Sequence, residues 1–553
     1  LKKIAETHPA IARRVEIGRS LEGRSIEGVE FASGVNRTDD GRPTFVVMGL
    51  HHAREWPSGE MPMEFAVDLA NGHGTDPRIT SLLDRVRVIV LPVVNPDGFN
   101  VSRTAGPTPS DDDPNSTLPL AVSDGLSYKR KNCRAASESA QSSPCISRPA
   151  GQGVDLNRNY GAYWGGVGSS TNPAVQNYRG TAPYSEPETE AVHRLSQTRN
   201  IVTLISHHTF TDQGVWLRQP GFCMWGAPGC SGSEDIVPDE AGMKELGDAM
   251  AAASGWTSEL GWAIGEITGA TEDWNYFATG TFGYTPEQRG PNFHPAFENA
   301  VVAEYTGEGA AGAAGGVRES LLRAGEQSAD RRWHSVLTGT ARSGYTLRLR
   351  KAFDTPTSQA GLVVKDVVDL TLTVPATGRY AWDVNPSTRP LSTTPEAYTL
   401  TCEDPAGVVL ETRDVVVARG ESVTADLVCG GDGRGGSGPG TGTGPGGGSA
   451  VLPRPTTARL SAGRVSARKV NRRKRFRIRV SVADGEILKP VIRLRRGKRT
   501  LYAARPTSIK GTVRITIRRR SGKLSPGRYP ITLTARDTKG RRVTARAMLR
   551  VRR

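Results

Sequence analysis

Residues 49–56 read Gly49-Leu50-His51-His52-Ala53-Arg54-Glu55-Trp56, and this stretch decides how the rest is read. It follows an apolar run, residues 45–50, that reads as a buried strand. It precedes residues 57–70, whose apolar side chains recur at helical spacing. His51, His52 and Glu55 therefore fall on a strand-to-helix loop, where α/β proteins commonly place their chemistry. His52 and Glu55 form a His-x-x-Glu pair. Imidazole nitrogen and carboxylate oxygen both ligate zinc well, and two ligands three residues apart can converge on one ion. So short a pair also arises by chance, and the missing parts of a metal site must be sought elsewhere in the chain.

Outward from this loop the pattern alternates. Residues 1–13 read as a helix, and 15–17 and 25–31 as strands around a Gly-rich turn. Residues 79–83 are short and helical, and 86–94 form a nearly unbroken apolar strand. Apolar runs between helices imply an α/β arrangement with its sheet buried on both faces. Residues 102–124 are polar and read as a surface loop. A helix over 186–198 leads to a strand over 201–206 that ends at His207-His208. A further helix covers about 239–253. A strand-like run over 282–285 stops at Pro286-Glu287, and a long helical segment covers 297–324.

A catalytic zinc commonly has three protein ligands and one open position. His208, or His207, ends one apolar strand as the His52 loop follows another, so two parallel neighbours bring them together. Glu287, beyond a third strand, is placed to move a proton. Arg130, in the run Tyr128-Lys129-Arg130-Lys131-Asn132, is a candidate cation for a developing oxyanion.

The motifs GLHHAREW, VNPDGF, KRKN, GVDLNRNY, SHHTF, EDWNYF and GYTPE stand in this order from residue 49 to 287. Together they resemble the zinc carboxypeptidases of the carboxypeptidase A and T type, over residues 1–324. The resemblance implies a mixed, mostly parallel central sheet flanked by helices, one Zn2+ per catalytic domain, and hydrolysis of the C-terminal peptide bond. It implies His52, Glu55 and His208 as zinc ligands, choosing His52 over His51 and His208 over His207; His51 and His207 are left a packing or solvent-facing role. It implies Asp155 as a carboxylate orienting a ligand imidazole. Asn157 and Arg158 would grip the substrate's terminal carboxylate, for which a planar guanidinium fork is suited. Arg130 would polarise the scissile carbonyl, Arg54 would touch substrate, and Glu287 would be general base and acid. A tyrosine that family members carry before the Asp-Trp pair falls here on Gly265. Glu272, before Asp273, matches a pocket-floor position, where an acid would favour a basic C-terminal residue.

The remaining chain changes character. Residues 335–430 hold short alternating runs separated by Gly, Pro and Asp, which read as a β-sandwich. Residues 431–450 are a Gly/Ser/Thr/Pro linker. Residues 451–553 alternate apolar residues with Arg or Thr and read as a second, Ig-like β-sandwich. The domains expected are thus 1–325, 335–430 and 451–553. The chain carries +16 overall, but 33 of its 72 Lys+Arg and only 3 of its 56 acidic residues lie in 451–553. That segment is suited to an anionic cell-wall polymer or surface. Nucleic acid is disfavoured, because no aromatic stacking platform or reading helix accompanies the charge. The six cysteines form three sequence-local couples without a Cys-x-x-Cys. Three disulfides in an oxidising compartment are the natural reading. No run of 18 apolar residues is present to span a membrane, and with neither an initiator Met nor an h-region at Leu1 the expectation is that a signal peptide has been removed. A secreted zinc carboxypeptidase is the reading adopted. A peptidase trimming cell-wall peptides and a non-catalytic wall-binding protein are the rivals.

Overall fold

The computed structural model describes residues 1–105, 125–221, 237–308, 314–392, 394–430, 457–461, 464–496, 499–504, 506–519, 521–537 and 542–552. Residues 1–434 form one compact unit and 435–553 another.

The first helix is shorter than its sequence implies. α1 covers Lys2–Thr7, and strand β1 already begins at Ala12, running Ala12–Arg19. Pro9 biases His8 away from helical geometry and offers no N–H, so the helix stops before it. β2 (Ser25–Phe31), β3 (Thr44–Met48), α2 (Trp56–Gly72), α3 (Pro77–Arg85), β4 (Arg87–Leu91) and α4 (Pro96–Ala105) follow. After the short α5 (Glu138–Gln141), α6 (Pro187–Thr198) leads to β5 (Ile201–Ser206), β6 (His208–Thr211) and β7 (Val215–Arg218). Then come α7 (Glu240–Ser254), β8 (Thr257–Leu260), α8 (Thr271–Thr279), β9 (Phe282–Arg289), α9 (Ala303–Thr306) and α10 (Gly316–Ser328).

The strands make one mixed sheet, ordered β1-β2-β4-β3-β5-β9-β7-β8, with β6 paired to β9. β4, β3, β5 and β9 run parallel; β1, β2 and β7 join antiparallel. Every residue of β3, β4 and β5 is buried, which is why these strands read as unbroken apolar runs rather than alternations. Phe65 and Leu69 of α2, Leu82 of α3 and Leu321 of α10 help form the core around them. The β3/β5 register pairs Met48 with Ser206, so the segments after both strands leave the sheet side by side.

Two other expectations are corrected. The helix over 297–324 is broken: a π-helical turn over Glu298–Val302 and α9 end at Gly307 (φ 86°), and α10 restarts after Gly315 (φ 103°). Glycines supply the left-handed geometry that interrupts the helix. Residues 102–105 belong to α4 rather than a loop; 106–124 lie outside the described residues.

Beyond α10 the same compact unit holds two smaller sheets. β10 (Ser335–Thr340), β13 (Arg379–Val384) and β16 (Ser422–Thr424) form one. β11 (Thr346–Pro356), β12 (Val363–Thr373), β14 (Tyr398–Glu403) and β15 (Val409–Val415) form the other. Along β11 buried and exposed positions alternate, and Leu347, Leu349, Leu370, Trp382 and Leu400 share a separate core. Disulfides join Cys402 to Cys429 here and Cys133 to Cys145 earlier; Cys223 and Cys230 lie outside the described residues. In the second unit, β17 to β23 (Thr457–Ser461, Arg464–Ser466, Arg475–Arg496, Arg499–Ala504, Ser508–Arg519, Gly527–Asp537, Arg542–Arg552) form one seven-stranded sheet. The 22-residue β19 is shared by four neighbours, and Ile478, Val480, Ile492 and Leu533 lie in its core. Among the described residues no helix is long and apolar enough to cross a membrane.

Asp366 of β12 ties the smaller sheets to the large one. It accepts from His193 Nε2 of α6 (2.6 Å) and from Trp274 Nε1 of α8 (3.1 Å). His193 also meets Glu190 at 3.0 Å and stacks on Tyr184 at 3.9 Å. Burial pulls the pKa of His193 down, but bonds to Asp366 and Glu190 more than offset it, so the value is raised. A raised histidine stabilises the fold fully below its unfolded value, about 6.5, and that share is lost as pH rises through the folded value. His193→Gln should therefore lower the melting temperature most near pH 6, with the gap to wild type narrowing by about pH 9. Melting curves across that range test this; a gap independent of pH would contradict the assignment.

Candidate active site

The loop after β3 is tight for identifiable reasons. A Cβ on Gly49 would lie 1.8 Å from the Ser58 carbonyl oxygen, so the start of α2 packs directly on the strand end. Leu50 then takes a left-handed φ of 51°, a strain of about 1–3 kcal/mol for a non-glycine residue. Its N–H donates to Ser58 Oγ (3.1 Å), and Ser58 Oγ donates back to the Glu55 carbonyl (2.6 Å). The turn delivers His52 and Glu55, both buried, to the edge where His208 opens β6.

His52 Nδ1 lies 2.7 Å from Glu55 Oε1, His208 Nδ1 3.0 Å from Glu55 Oε2, and the two Nδ1 atoms 3.1 Å from each other. Tetrahedral zinc with bonds near 2.0–2.1 Å spaces its ligand atoms about 3.3 Å apart. Three buried lone-pair donors at these separations fit such an ion after small shifts, and the His2Glu donor set suits zinc. Asp155 braces the group. Its Oδ1 accepts from His52 Nε2 and from the Asn157 N–H, both at 3.0 Å, and its Oδ2 accepts from Arg130 Nε (3.1 Å) and Nη2 (2.9 Å). Burial would raise the Asp155 pKa, but Arg130 and His52 hold it well below the usual carboxylate range. A carboxylate on Nε2 leaves His52 Nδ1 as the free electron pair.

The other two histidines are packed away. His51 Nε2 meets Tyr160 Oη at 2.8 Å, and His207 Nδ1 meets Gln288 at 3.2 Å; burial lowers both pKa values, that of His207 to about 3.

A cavity of about 550 Å3 opens over the three donors, lined also by Arg54, Arg130, Asn157, Arg158 and Glu287. Glu287 lies inside β9 rather than beyond the end of a strand: the strand continues through Pro286, and its register sets Glu287 opposite His208. Burial pushes the Glu287 carboxyl up to about 7, with His208 and Arg130 acting against it and Glu55 adding to it. Asn157 is fixed by the Thr271 N–H, which donates to its Oδ1 (3.0 Å). Arg158 gives Nε to the Gly168 carbonyl (2.9 Å) and Nη1 to the Asn157 carbonyl (2.7 Å). Arg54 is buried with Nε and Nη1 unpartnered, its guanidinium 4.3 Å from the Phe293 ring centre, and its pKa drops to about 10 through burial and the Arg130 charge.

Gly265 also lines the cavity, with φ 136° and open space where a Cβ would stand. Glu272 is buried on α8 with Oε2 unpartnered; it is not among the lining residues, but its charge is felt at Arg158, His208 and Glu287. Phe293 and Phe210 meet at 4.9 Å on the cavity wall; Phe210 closes the SHHTF motif, but no spacing or short motif marks Phe293. A roomier cavity of about 690 Å3, between Arg134 and Glu186, is lined by no histidine, whereas the three donors that could hold a metal line the smaller one.

Because the loop geometry hangs on Gly49, Gly49→Ala should cost about 1–3 kcal/mol by overpacking and lower the zinc content of the purified protein. Denaturant unfolding and metal analysis check both. Unchanged stability would show that the contact with Ser58 is not a constraint.

A family model described as zinc carboxypeptidase matches residues 1–303. Carboxypeptidase A1 of Rattus norvegicus is 27% identical over 311 residues, covering 54% of this chain and 63% of the relative. Carboxypeptidase A2 of Mus musculus is 31% identical over 192 residues, covering 35% of this chain and 38% of the relative. The crystal structure of the carboxypeptidase A from Helicoverpa armigera aligns with a TM-score of 0.45 at 22% identity, covering 59% of this chain and 71% of that one. The chain spans less than two thirds of the length of these two curated relatives. With its family model matched over more than half of its length, the chain belongs to the zinc carboxypeptidase family.

Proposed function

We propose that the chain is a zinc-dependent exopeptidase that removes the C-terminal residue from peptides. The observation that carries this is the convergence of His52, Glu55 and His208 at 2.7–3.1 Å with Glu287 opposite His208 in the sheet. These three residues would hold the metal. Zinc held there would supply Lewis acidity and would lower the pKa of a water toward neutral. Glu287, a half-buried carboxyl with its pKa pushed up to about 7, takes the proton of the attacking water and returns it to the leaving amine. Arg130, held by Asp155 at the cavity wall, stabilises the charge that develops on the scissile carbonyl oxygen. Arg158 and Asn157 take the substrate's terminal carboxylate, so that only the end residue leaves. Arg54, with two buried donors unpartnered, receives a carbonyl of the remaining peptide. Glu272 does not line the cavity, and a preference for a basic end residue rests on its charge, which is felt at Arg158, His208 and Glu287.

Two disulfides support an extracellular setting. The excess of 30 positive charges in 451–553 favours retention on an anionic surface such as a cell-wall polymer, with wall peptides as a second substrate class. The complete donor set and Glu287 speak against a non-catalytic wall-binding protein.

Blocked dipeptides with a free C-terminus should be cleaved and their C-terminal amides spared; equal cleavage of both sinks the exopeptidase reading. Glu287→Gln should lower kcat by about 10²- to 10⁴-fold with zinc still bound, measured by steady-state kinetics and metal analysis. Across a panel of end residues, Lys and Arg should give the highest kcat/KM, an advantage that Glu272→Gln removes.

A further inference from the structure

We infer that the small β-sheets after residue 335 are part of the substrate-carboxylate site, because they position Asn157 and Arg158 through two separate routes. This rests on the function proposed above and assigns a task to a region outside the residues matched to the family.

The first route runs through the loop after β11. The Pro356 carbonyl accepts from the Tyr163 N–H (2.9 Å), and the Ser358 N–H donates to the Trp164 carbonyl (3.0 Å). Ser358 Oγ donates to the Tyr163 carbonyl (2.8 Å), and Gln359 Nε2 to the Gly165 carbonyl (3.0 Å). These bonds clamp the segment whose Gly168 carbonyl receives Arg158 Nε. The segment is held at Gly168, where a Cβ would stand 2.0 Å from the Glu266 carbonyl oxygen and φ is 73°, while Val167 beside it is exposed. Two anchors, the clamp on residues 163–165 and this backbone contact, set where the Gly168 carbonyl stands.

The second route runs through Asp366. Its Oδ2 accepts from Trp274 Nε1 (3.1 Å) and from Thr355 Oγ1. Trp274 is fully buried and lies one helical turn from Thr271, whose N–H holds Asn157 Oδ1 at 3.0 Å. Asp366 therefore fixes the start of α8, and α8 fixes Asn157. Neither Ser358, Gln359 nor Asp366 lines the cavity; all three are positioning residues. Two routes that begin 7–10 residues apart on the appended sheets end on adjacent residues of one anion-binding pair.

The test uses the full chain loaded with zinc, with Ser358→Ala/Gln359→Ala on the loop and Asp366→Ala at the buried contact. Thr373→Val, which removes a hydroxyl contact to Asp39 elsewhere on the same interface, is the control. KM for a blocked dipeptide with a free C-terminus should rise about ten-fold in both test variants, with kcat nearly unchanged and the control like wild type. Calorimetric binding of 3-phenylpropionate should weaken by the same factor, while binding of its amide should not. Equal weakening of acid and amide, or an unchanged KM, would overturn the inference and leave the contacts as interface packing. Should Asp366→Ala fail to fold, the loop variant alone decides. Wild type that binds the acid but cleaves no peptide would refute the proposed function instead.

Discussion

Everything in the site depends on one pairing: β3 beside β5, parallel, with Met48 opposite Ser206. Neither strand carries a ligand. Their register determines that the turn leaving one and the residue following the other emerge at the same height. Side chains alternate across a sheet, so a slip of one residue would send a whole strand's side chains to the opposite face. Complete burial of both strands makes such a slip expensive. The three side chains that could hold a metal ion are therefore fixed by the hydrophobic core, at a distance from the polar residues around them.

Around that point the protein concentrates charge where charge is costly. Glu55, Asp155 and Glu272 are buried acids and Arg54 a buried base, and half-buried Glu287, Arg130 and Arg158 line the same cavity as Glu55 and Arg54. Buried ion pairs recover their desolvation cost only with good geometry, and several groups here are left wanting. Arg54 has two unpartnered nitrogens, and Glu272 and Asp273 one unpartnered oxygen each. Burial with the neighbouring Glu272 charge pushes the Asp273 carboxyl well above its usual range. Such departures cluster at sites of function, where stability is given up for reactivity.

What could be read from residues alone follows from where the physical signal is local. β3, β4 and β5 were legible because burial on both faces makes them uniformly apolar. The apolar spacing of residues 1–13 continues past Pro9, so it does not show that α1 ends at Thr7. β9 was ended at residue 285 because proline reads as a stop, yet Pro286 stays within the strand, opposite Trp216 of β7. The helix over 297–324 failed at its glycines. His52, Glu55 and His208 were found through short motifs, and the choice of His208 over His207 came from family likeness rather than periodicity. Phe293 and the clamp of residues 356–359 on residues 163–165 left no trace in any window of sequence, because they exist only through contacts between distant segments.

The contact between Asp366 and Trp274 bears on how freely this molecule can be rearranged. A chain stopped at residue 325 would look like a self-sufficient unit on paper. It would leave a buried indole N–H without its acceptor and strip the Gly280 carbonyl of the Arg419 donor. Swapping, grafting or trimming at that seam cuts through a shared interior, so the residues matched to the family and the two sheets over 335–424 are best inherited, expressed and engineered as one piece.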